Sequence, residues 1–448
     1  MTDNKKRDLG ANGAEEVGAE EVGAPRDALR ISPGKLNGRV RAVASKSDAH
    51  RALIAAALAD GPTALVFDGT SRDIEATVEC LRALGAGLAR RQDETVVTPL
   101  ALKQESAAGR PLLDCGESGS TLRFLLPVAA AIRPQTAFTA RPGLAVRPLD
   151  RLREAMEKGG ASFSAVSLPF TVSGFLRGGR YLLPGNVSSQ YISGLLFALP
   201  LLEEDSEILL TSPLESAGYV EMTVKTLRAF SINIEEKAGG FAVAGRQVYR
   251  SPGRLKLEGD WSNAAFYLAA GALGPGVTVT GLSAGSLQRD RQILDLLREF
   301  GAGVSVEGDQ VRAWSGALRG VEIDAGQIPD LVPILAVVAA YAAGKTLIRN
   351  AGRLRIKESD RLVTVSAMLR GLGAQVAELP DGLIITGRGS LSGGGADSAN
   401  DHRIAMAAAI AGAYARGETM ISGPWAVRKS YPGFYRDFQE LGGKVHVL

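Results

Sequence analysis

Six times along the chain, at intervals of about 70 residues, a short polar cluster runs into an almost wholly apolar segment of helical length. The six are SKSDAHRALIAAALA from Ser45, SGSTLRFLLPVAAAI from Ser118, SSQYISGLLFALPLL from Ser188, DWSNAAFYLAAGALG from Asp260, DLVPILAVVAAYAAG from Asp330 and DHRIAMAAAIAGAYA from Asp401. A segment apolar on every side belongs inside a core, and Ser or Asp ahead of it is a helix-capping residue. The pattern predicts six buried helices whose polar starts are left uncovered. Helix starts attract anions, because free backbone N–H groups and the macrodipole point outward there.

A second element recurs in phase. Later in each unit an amphipathic stretch stops at a small residue and gives way to a strand: LRALGAGL from Leu81, MEKGGASF from Met156, LRAFSINI from Leu227, LREFGAGV from Leu297, LRGLGAQV from Leu369 and FQELGGKV from Phe438. Glycine after a periodic helix is a C-cap signal, and β-branched residues beyond it read as strand. Between the two helices of a unit lie β-like runs such as TALVFDG, EILLTSP, VTVTGL, TLIRNAG and TMISGP. Each unit therefore reads strand, buried helix, strand, surface helix, strands. Units of this length are compact α/β subdomains rather than solenoid turns. Six of them suggest an α/β protein of two domains with three repeats each.

Composition narrows the classes. A net charge of +3 over 448 residues is too mild for a nucleic-acid-binding face. The apolar runs near Ile334 and Ile404 fall short of the roughly 20 residues that a membrane span needs, so core helices are expected. Cys80 and Cys115 are the two cysteines, which excludes a disulfide framework and favours a reducing, cytoplasmic setting. His50, His402 and His446 are too scattered to suggest a metal site. Residues 1–28, with the imperfect repeat GAEEVGAEEVGAP, read as a disordered acidic tail.

Candidate chemistry sits on the polar helix starts and neighbouring loops. Lys46 and Arg51 flank the first buried helix. Arg147 lies in RPGLAVRPLDRL, Lys357, Glu358 and Arg361 in RIKESDRL, Arg403 in NDHR and Lys429 in RKSYPGF. Singly, such cations are ordinary surface groups. The repeat would gather several at one end, where guanidinium forks suit carboxylate and phosphate, and so many cations in one cleft call for an anionic ligand. Asp330 in GQIPDLVP can be a helix cap, and Glu358 can be an i,i+3 partner of Arg361. Beside Lys46, both can equally serve as acid and base groups in a cationic site. Ser188, Ser189 and Gln190 offer neutral donors at a helix start, either as a cap or as a phosphate nest. Gly119 in GESGSTLR reads as a point where a ligand approaches the backbone.

Taken in order, SKSDAHR, GESGSTLR, RPL, SSQ, IPD, RIKESDRL, NDHR and RKSYPGF resemble the 5-enolpyruvylshikimate-3-phosphate synthase family from about Ile31 to Leu448. The resemblance implies an inverted α/β fold of two domains, each with three β-α-β-α-β-β units. One domain would comprise residues 29–44 and 259–448 and the other residues 45–258, with the active site in the cleft between them. It implies transfer of the enolpyruvyl group of phosphoenolpyruvate to shikimate 3-phosphate in a monomer, without metal or organic cofactor. Ser47, Arg51, Ser188, Ser189, Gln190, Ser216, Tyr219, Asp330 and Lys357 would hold shikimate 3-phosphate. Lys46, Gly119, Arg147, Gln190, Arg361, Arg403 and Lys429 would hold phosphoenolpyruvate. Asp330 would take the hydroxyl proton, while Lys46 and Glu358 would handle the methylene proton. Glycine at 119 would also admit the inhibitor glyphosate. Glu117, Phe124 and Arg353 depart from the family pattern, the first and last standing where other members carry Asn. The related UDP-N-acetylglucosamine enolpyruvyl transferases carry a reactive Cys on a mobile loop; here Cys115 lies in DCGESGS, a strand end. A non-catalytic anion-binding protein on the same scaffold is the alternative from another class.

Overall fold

In the computed structural model, residues 28–91, 93–101 and 110–448 are described. The expected acidic tail lies outside them except for Ala28, which opens a strand rather than ending a disordered segment. Among the described residues there are six four-stranded sheets, all of one topology. Glu322–Asp324, Ala343–Arg349, Gln375–Leu379 and Gly382–Arg388 illustrate it. The first two strands are parallel, the last lies antiparallel to the second, and the third pairs at the edge. The parallel pair requires a crossover, and the buried helix Val332–Tyr341 supplies it. The surface helix Arg361–Gly371 then returns the chain to the edge strand.

Three sheets borrow a strand from elsewhere in the sequence. Asn37–Arg41 runs parallel to Gly276–Thr280, Arg254–Lys256 runs parallel to Thr63–Val66, and Ala28–Ser32 lies between Thr419–Ser422 and Lys444–Val447. These loans sort the apolar residues into two cores. One draws on Leu29 to Ala42 and Trp261 to Leu441, the other on Ala49 to Tyr249. The chain passes between them twice, and the two passages are side by side. Ala44 bridges Gly259, the Ser45 N–H donates to Glu258 O at 2.8 Å, and the Asp260 N–H donates to Val43 O at 2.8 Å. A Cβ on Gly259 would stand 2.4 Å from the carbonyl oxygen of Gly281, so the crossing needs glycine there.

The six predicted buried helices form, at Lys46–Ala57, Gly119–Ile132, Ser189–Ala198, Trp261–Leu273, Val332–Tyr341 and His402–Tyr414. Each surface helix is followed within two residues by a left-handed residue, which frees the chain to turn into the next strand. Five of these are Gly85, Gly160, Gly301, Gly373 and Gly442; the sixth is Ser231, with φ 62°. An L residue in that region costs about 1–2 kcal/mol, partly offset in the unfolded chain by the greater freedom of glycine. Ser231 is exposed. Ser231→Gly is therefore expected to raise the unfolding free energy by about 0.5–1 kcal/mol. The shift in the urea midpoint at unchanged m-value measures it.

Candidate active site

Five of the six polar clusters cap their helices as predicted. Ser45 accepts from the Asp48 N–H, Ser118 from Thr121, Ser188 from Gln190, Asp260 from Asn263 and Asp401 from Arg403. Asp330 does not. It lies in the 3-10 turn Pro329–Leu331, and the helix behind it begins without a side-chain cap. The capping alternative for Asp330 is thereby excluded, and its carboxylate is available for other partners. The helix starts are only partly uncovered: Ser45, Ser118 and Asp401 have no exposed surface and Asp260 almost none, whereas Ser188 and Asp330 are partly exposed and face the cleft described next.

The starts enclose a cleft of about 100 Å³. Lys46, Ser47, Arg51, Gly119, Arg147, Ser188, Ser189, Gln190, Ser216, Tyr219, Asp330, Lys357, Glu358 and Arg403 all line it. Arg361 and Lys429 do not. The Arg361 side chain is 1% exposed, and its guanidinium donates to Asp330 Oδ1 at 2.7 Å, Glu358 Oε2 at 2.6 Å and Asp401 Oδ2 at 2.7 Å. The pairing of Glu358 with Arg361 is thus real, yet Glu358 still faces the cleft. Lys429 is buried beside the cleft, with Nζ 3.1 Å from Glu117 Oε1 and 2.5 Å from Asn400 O.

Several side chains tie the two cores across the cleft. The Tyr219 hydroxyl donates to Asp330 Oδ2 at 2.9 Å, and Arg353 NH1 donates to Ser216 Oγ at 2.9 Å. Arg147 stands 3.7 Å from Glu358. Arg51 is fixed by Thr223 Oγ1 at 2.8 Å, by the Ser47 and Tyr219 carbonyls, and by the Phe124 ring 5.1 Å below it. Phe124, a departure from the family pattern, therefore serves as the platform for a site cation.

The charges settle in a definite way. Burial alone would raise Asp330, but Arg403, Lys357 and Arg361 outweigh it and hold the carboxyl well below its usual range. Glu358 is likewise held well below its usual range, burial being outweighed by Arg361, Arg147 and further cations. Lys357 is pushed down to about 8, chiefly by burial, with Asp330 opposing. His402 is kept well below its usual value by burial and by Lys46 and Arg403, so it is neutral at pH 7. At Gly119 an added Cβ would lie 2.7 Å from Arg123 NH1 and 3.1 Å from Arg147 NH1. The glycine lets these two guanidiniums converge on a helix start.

Sequence reasoning missed Asp73, Arg123, Arg353 and His402 as lining residues of the site. Lys46 Nζ donates to Asp73 at 2.8 Å, and Arg123 NH1 donates to Gln190 Oε1 at 2.8 Å. Arg123 had a signal, since four residues after Gly119 on one helix places it on the same face. His402 sits within NDHR, beside an Arg that was singled out. Asp73 had none, for its link to Lys46 joins separate helices. Arg353 was noticed only as a departure from the family pattern. Among the described residues no His, Cys, Asp or Glu cluster could hold a metal ion, and no helix is long and apolar enough to cross a membrane.

Comparison with known proteins agrees with this geometry. The sequence profile of EPSP synthase (3-phosphoshikimate 1-carboxyvinyltransferase) matches residues 31–438. A 3-phosphoshikimate 1-carboxyvinyltransferase of Clostridium novyi is 41% identical over 426 residues, 93% of this chain and 98% of that one. One from Clostridium perfringens is 42% identical over 417 residues, 92% and 98% of the two chains. Among solved structures, EPSP synthase from Acinetobacter baumannii superposes with a TM-score of 0.79 at 25% identity, covering 94% of this chain and all of that one. The enolpyruvyl transferase NikO from Streptomyces tendae gives 0.76 at 21% identity, covering 95% and 99%, and so shares the fold. Across almost its whole length, then, the chain belongs to the EPSP synthase (3-phosphoshikimate 1-carboxyvinyltransferase) family.

Proposed function

We propose that the cleft performs the transfer for which the family is named. The enolpyruvyl group of phosphoenolpyruvate passes to the 5-hydroxyl of shikimate 3-phosphate and inorganic phosphate is released, a step of the shikimate route to aromatic amino acids. The observation that carries this reading is the gathering of Asp330, Lys357 and Arg403 with three serine-bearing helix starts in one cleft, which Lys46 lines from one core and Glu358 from the other. Each substrate brings a phosphate of about −1.5 to −2 and a carboxylate, which suits such a cationic enclosure. Residues 29–44 with 259–448 and residues 45–258 act as two domains on the paired crossing at Ala44 and Gly259. The enzyme works as a cytoplasmic monomer, a setting that the two free, buried cysteines favour.

Shikimate 3-phosphate is held by Ser47, Arg51, Ser188, Ser189, Gln190, Ser216, Tyr219 and Lys357, with Arg353 added beside Ser216. Phosphoenolpyruvate is held by Lys46, Gly119, Arg147, Gln190, Arg403 and Lys429. Arg361 acts from behind, orienting Asp330 and Glu358. Protonation of the methylene carbon makes its neighbour electrophilic. The 5-hydroxyl adds there as Asp330 takes its proton, and a tetrahedral ketal phosphate results. Loss of a proton from the new methyl group expels phosphate and restores the double bond. Lys46 and Glu358 carry that proton in and out. Asp330 is a weak base while cations surround it unopposed; anionic substrates pairing with Lys357 and Arg403 raise its basicity when the hydroxyl arrives. The surrounding guanidiniums stabilise the ketal, and the two lobes hold both reactants in register.

Phosphate release from phosphoenolpyruvate tests the reading, with shikimate 3-phosphate and UDP-N-acetylglucosamine compared as acceptors. Dependence on shikimate 3-phosphate is expected; release with the nucleotide sugar alone would assign the other acceptor, and silence with both would favour a binding protein. Asp330→Ala is expected to cut turnover by about 10²-fold or more while substrate binding stays detectable by calorimetry. Near-normal turnover would remove Asp330 from the mechanism.

The pH dependence follows from Lys357. Below about 8 its ammonium is charged and attracts the anionic acceptor; above that value it is neutral and the attraction is lost. In the native enzyme kcat/KM for shikimate 3-phosphate should therefore fall on an alkaline limb near pH 8, since kcat/KM reports the free enzyme. Lys357→Arg should move that limb upward, because a guanidinium stays charged throughout this range.

A further inference from the structure

Beside the cleft, Glu117 reaches from one core to the other. It belongs to the loop ahead of the Gly119–Ile132 helix, and its Oε1 lies 3.1 Å from Lys429 Nζ and accepts from Asn400 Nδ2 at 2.8 Å. Lys429 in turn donates to the Asn400 carbonyl at 2.5 Å, so lysine, asparagine and glutamate form a closed triangle. Asn400 is held there at some expense. It and Ala399 are consecutive non-glycine residues with φ 55° and 49°, a conformation that persists only where its surroundings over-determine it. The Lys429 side chain is 6% exposed and that of Glu117 is 24% exposed, so the pair is poorly screened.

Lys429 is also one of the cations assigned above to phosphoenolpyruvate, and this inference rests on that assignment. The carboxylate now against it is the same chemical group as the carboxylate of that substrate. We propose that Glu117 is an internal stand-in for the second substrate. In this structure it neutralises Lys429 and ties the two cores together. Phosphoenolpyruvate must displace it, so Glu117 sets the affinity for that substrate without taking part in the chemistry. Glu117→Gln isolates the effect, because the amide oxygen can still accept from Asn400 while the competing charge is gone.

The test is steady-state kinetics of Glu117→Gln on the full-length protein, with both substrates varied and inorganic phosphate as product inhibitor. The KM for phosphoenolpyruvate is expected to fall about three- to ten-fold, the range for one partly buried ion pair, and phosphate inhibition to tighten in parallel. KM for shikimate 3-phosphate should stay put and kcat should change less than two-fold, roughly, since the chemistry lies elsewhere. In a Lys429→Gln background the same change at 117 should have no effect, a coupling that mere structural support would not produce. Glu117→Asp, which keeps the charge on a shorter arm, covers the case in which the glutamine protein fails to fold, and should give a smaller fall. An unchanged KM for phosphoenolpyruvate would overturn the proposal. So would a raised one, which would make Glu117 a positioner of Lys429. Absence of shikimate 3-phosphate-dependent phosphate release by the native protein would instead remove the functional reading, and this proposal with it.

Discussion

One guanidinium, that of Arg361, joins the pieces on which the site depends. It stands at the start of the Arg361–Gly371 helix and meets Asp330, Glu358 and Asp401, each within 2.7 Å. Asp401 is itself the cap of the His402–Tyr414 helix, so one side chain fixes two helix starts and two carboxylates that line the cleft. Burying such a cluster costs several kcal/mol of desolvation per ion, and mutual attraction repays that only when geometry is good and partners are complete. Every charged donor position of Arg361 has a carboxylate, which meets that condition. The arrangement therefore contributes orientation more than stability. Arginine suits it better than lysine, because the planar fork addresses three acceptors in fixed directions.

The same accounting explains how so many cations share a small space. Lys46 is paired with Asp73, Lys429 with Glu117, and Arg403 and Lys357 with Asp330. Arg51 and Arg123 spend their donors on carbonyls and hydroxyl or amide oxygens, and each lies over an aromatic ring. The mutual repulsion of these cations is thus relieved by the chain's own acceptors. An anionic ligand held by these cations would exchange with contacts already present, so its affinity would be a difference between two sets of ion pairs.

Much of this was legible in the sequence. A period of about 70 residues, an all-round apolar helix and a Ser or Asp before it are local signals, and they located all six buried helices and five caps. Asp330 shows the limit. In sequence it looks like the other capping residues, yet Pro329 draws it into a 3-10 turn and its partners come from residues 219, 361 and 403. The burial of Arg361 and the tie between Lys46 and Asp73 escaped for the same reason. Both depend on how separate units face one another, which no spacing along the chain encodes.

The borrowed strands bear on the order in which the two halves can be completed during synthesis. The core containing Ala49 to Tyr249 has all its strands once Lys256 has been made, because Arg254–Lys256 closes its first sheet. The other core owns the earliest described strand, Ala28–Ser32, but that strand pairs with Thr419–Ser422 and Lys444–Val447. Its first-made segment must therefore wait, unpaired and half apolar, while more than one complete repeat array is translated behind it. The half with residues 45–258 has all its strands first and is free to fold on the ribosome, and the other half completes its sheets last. The cleft, which needs side chains from both, can appear only at that final closure.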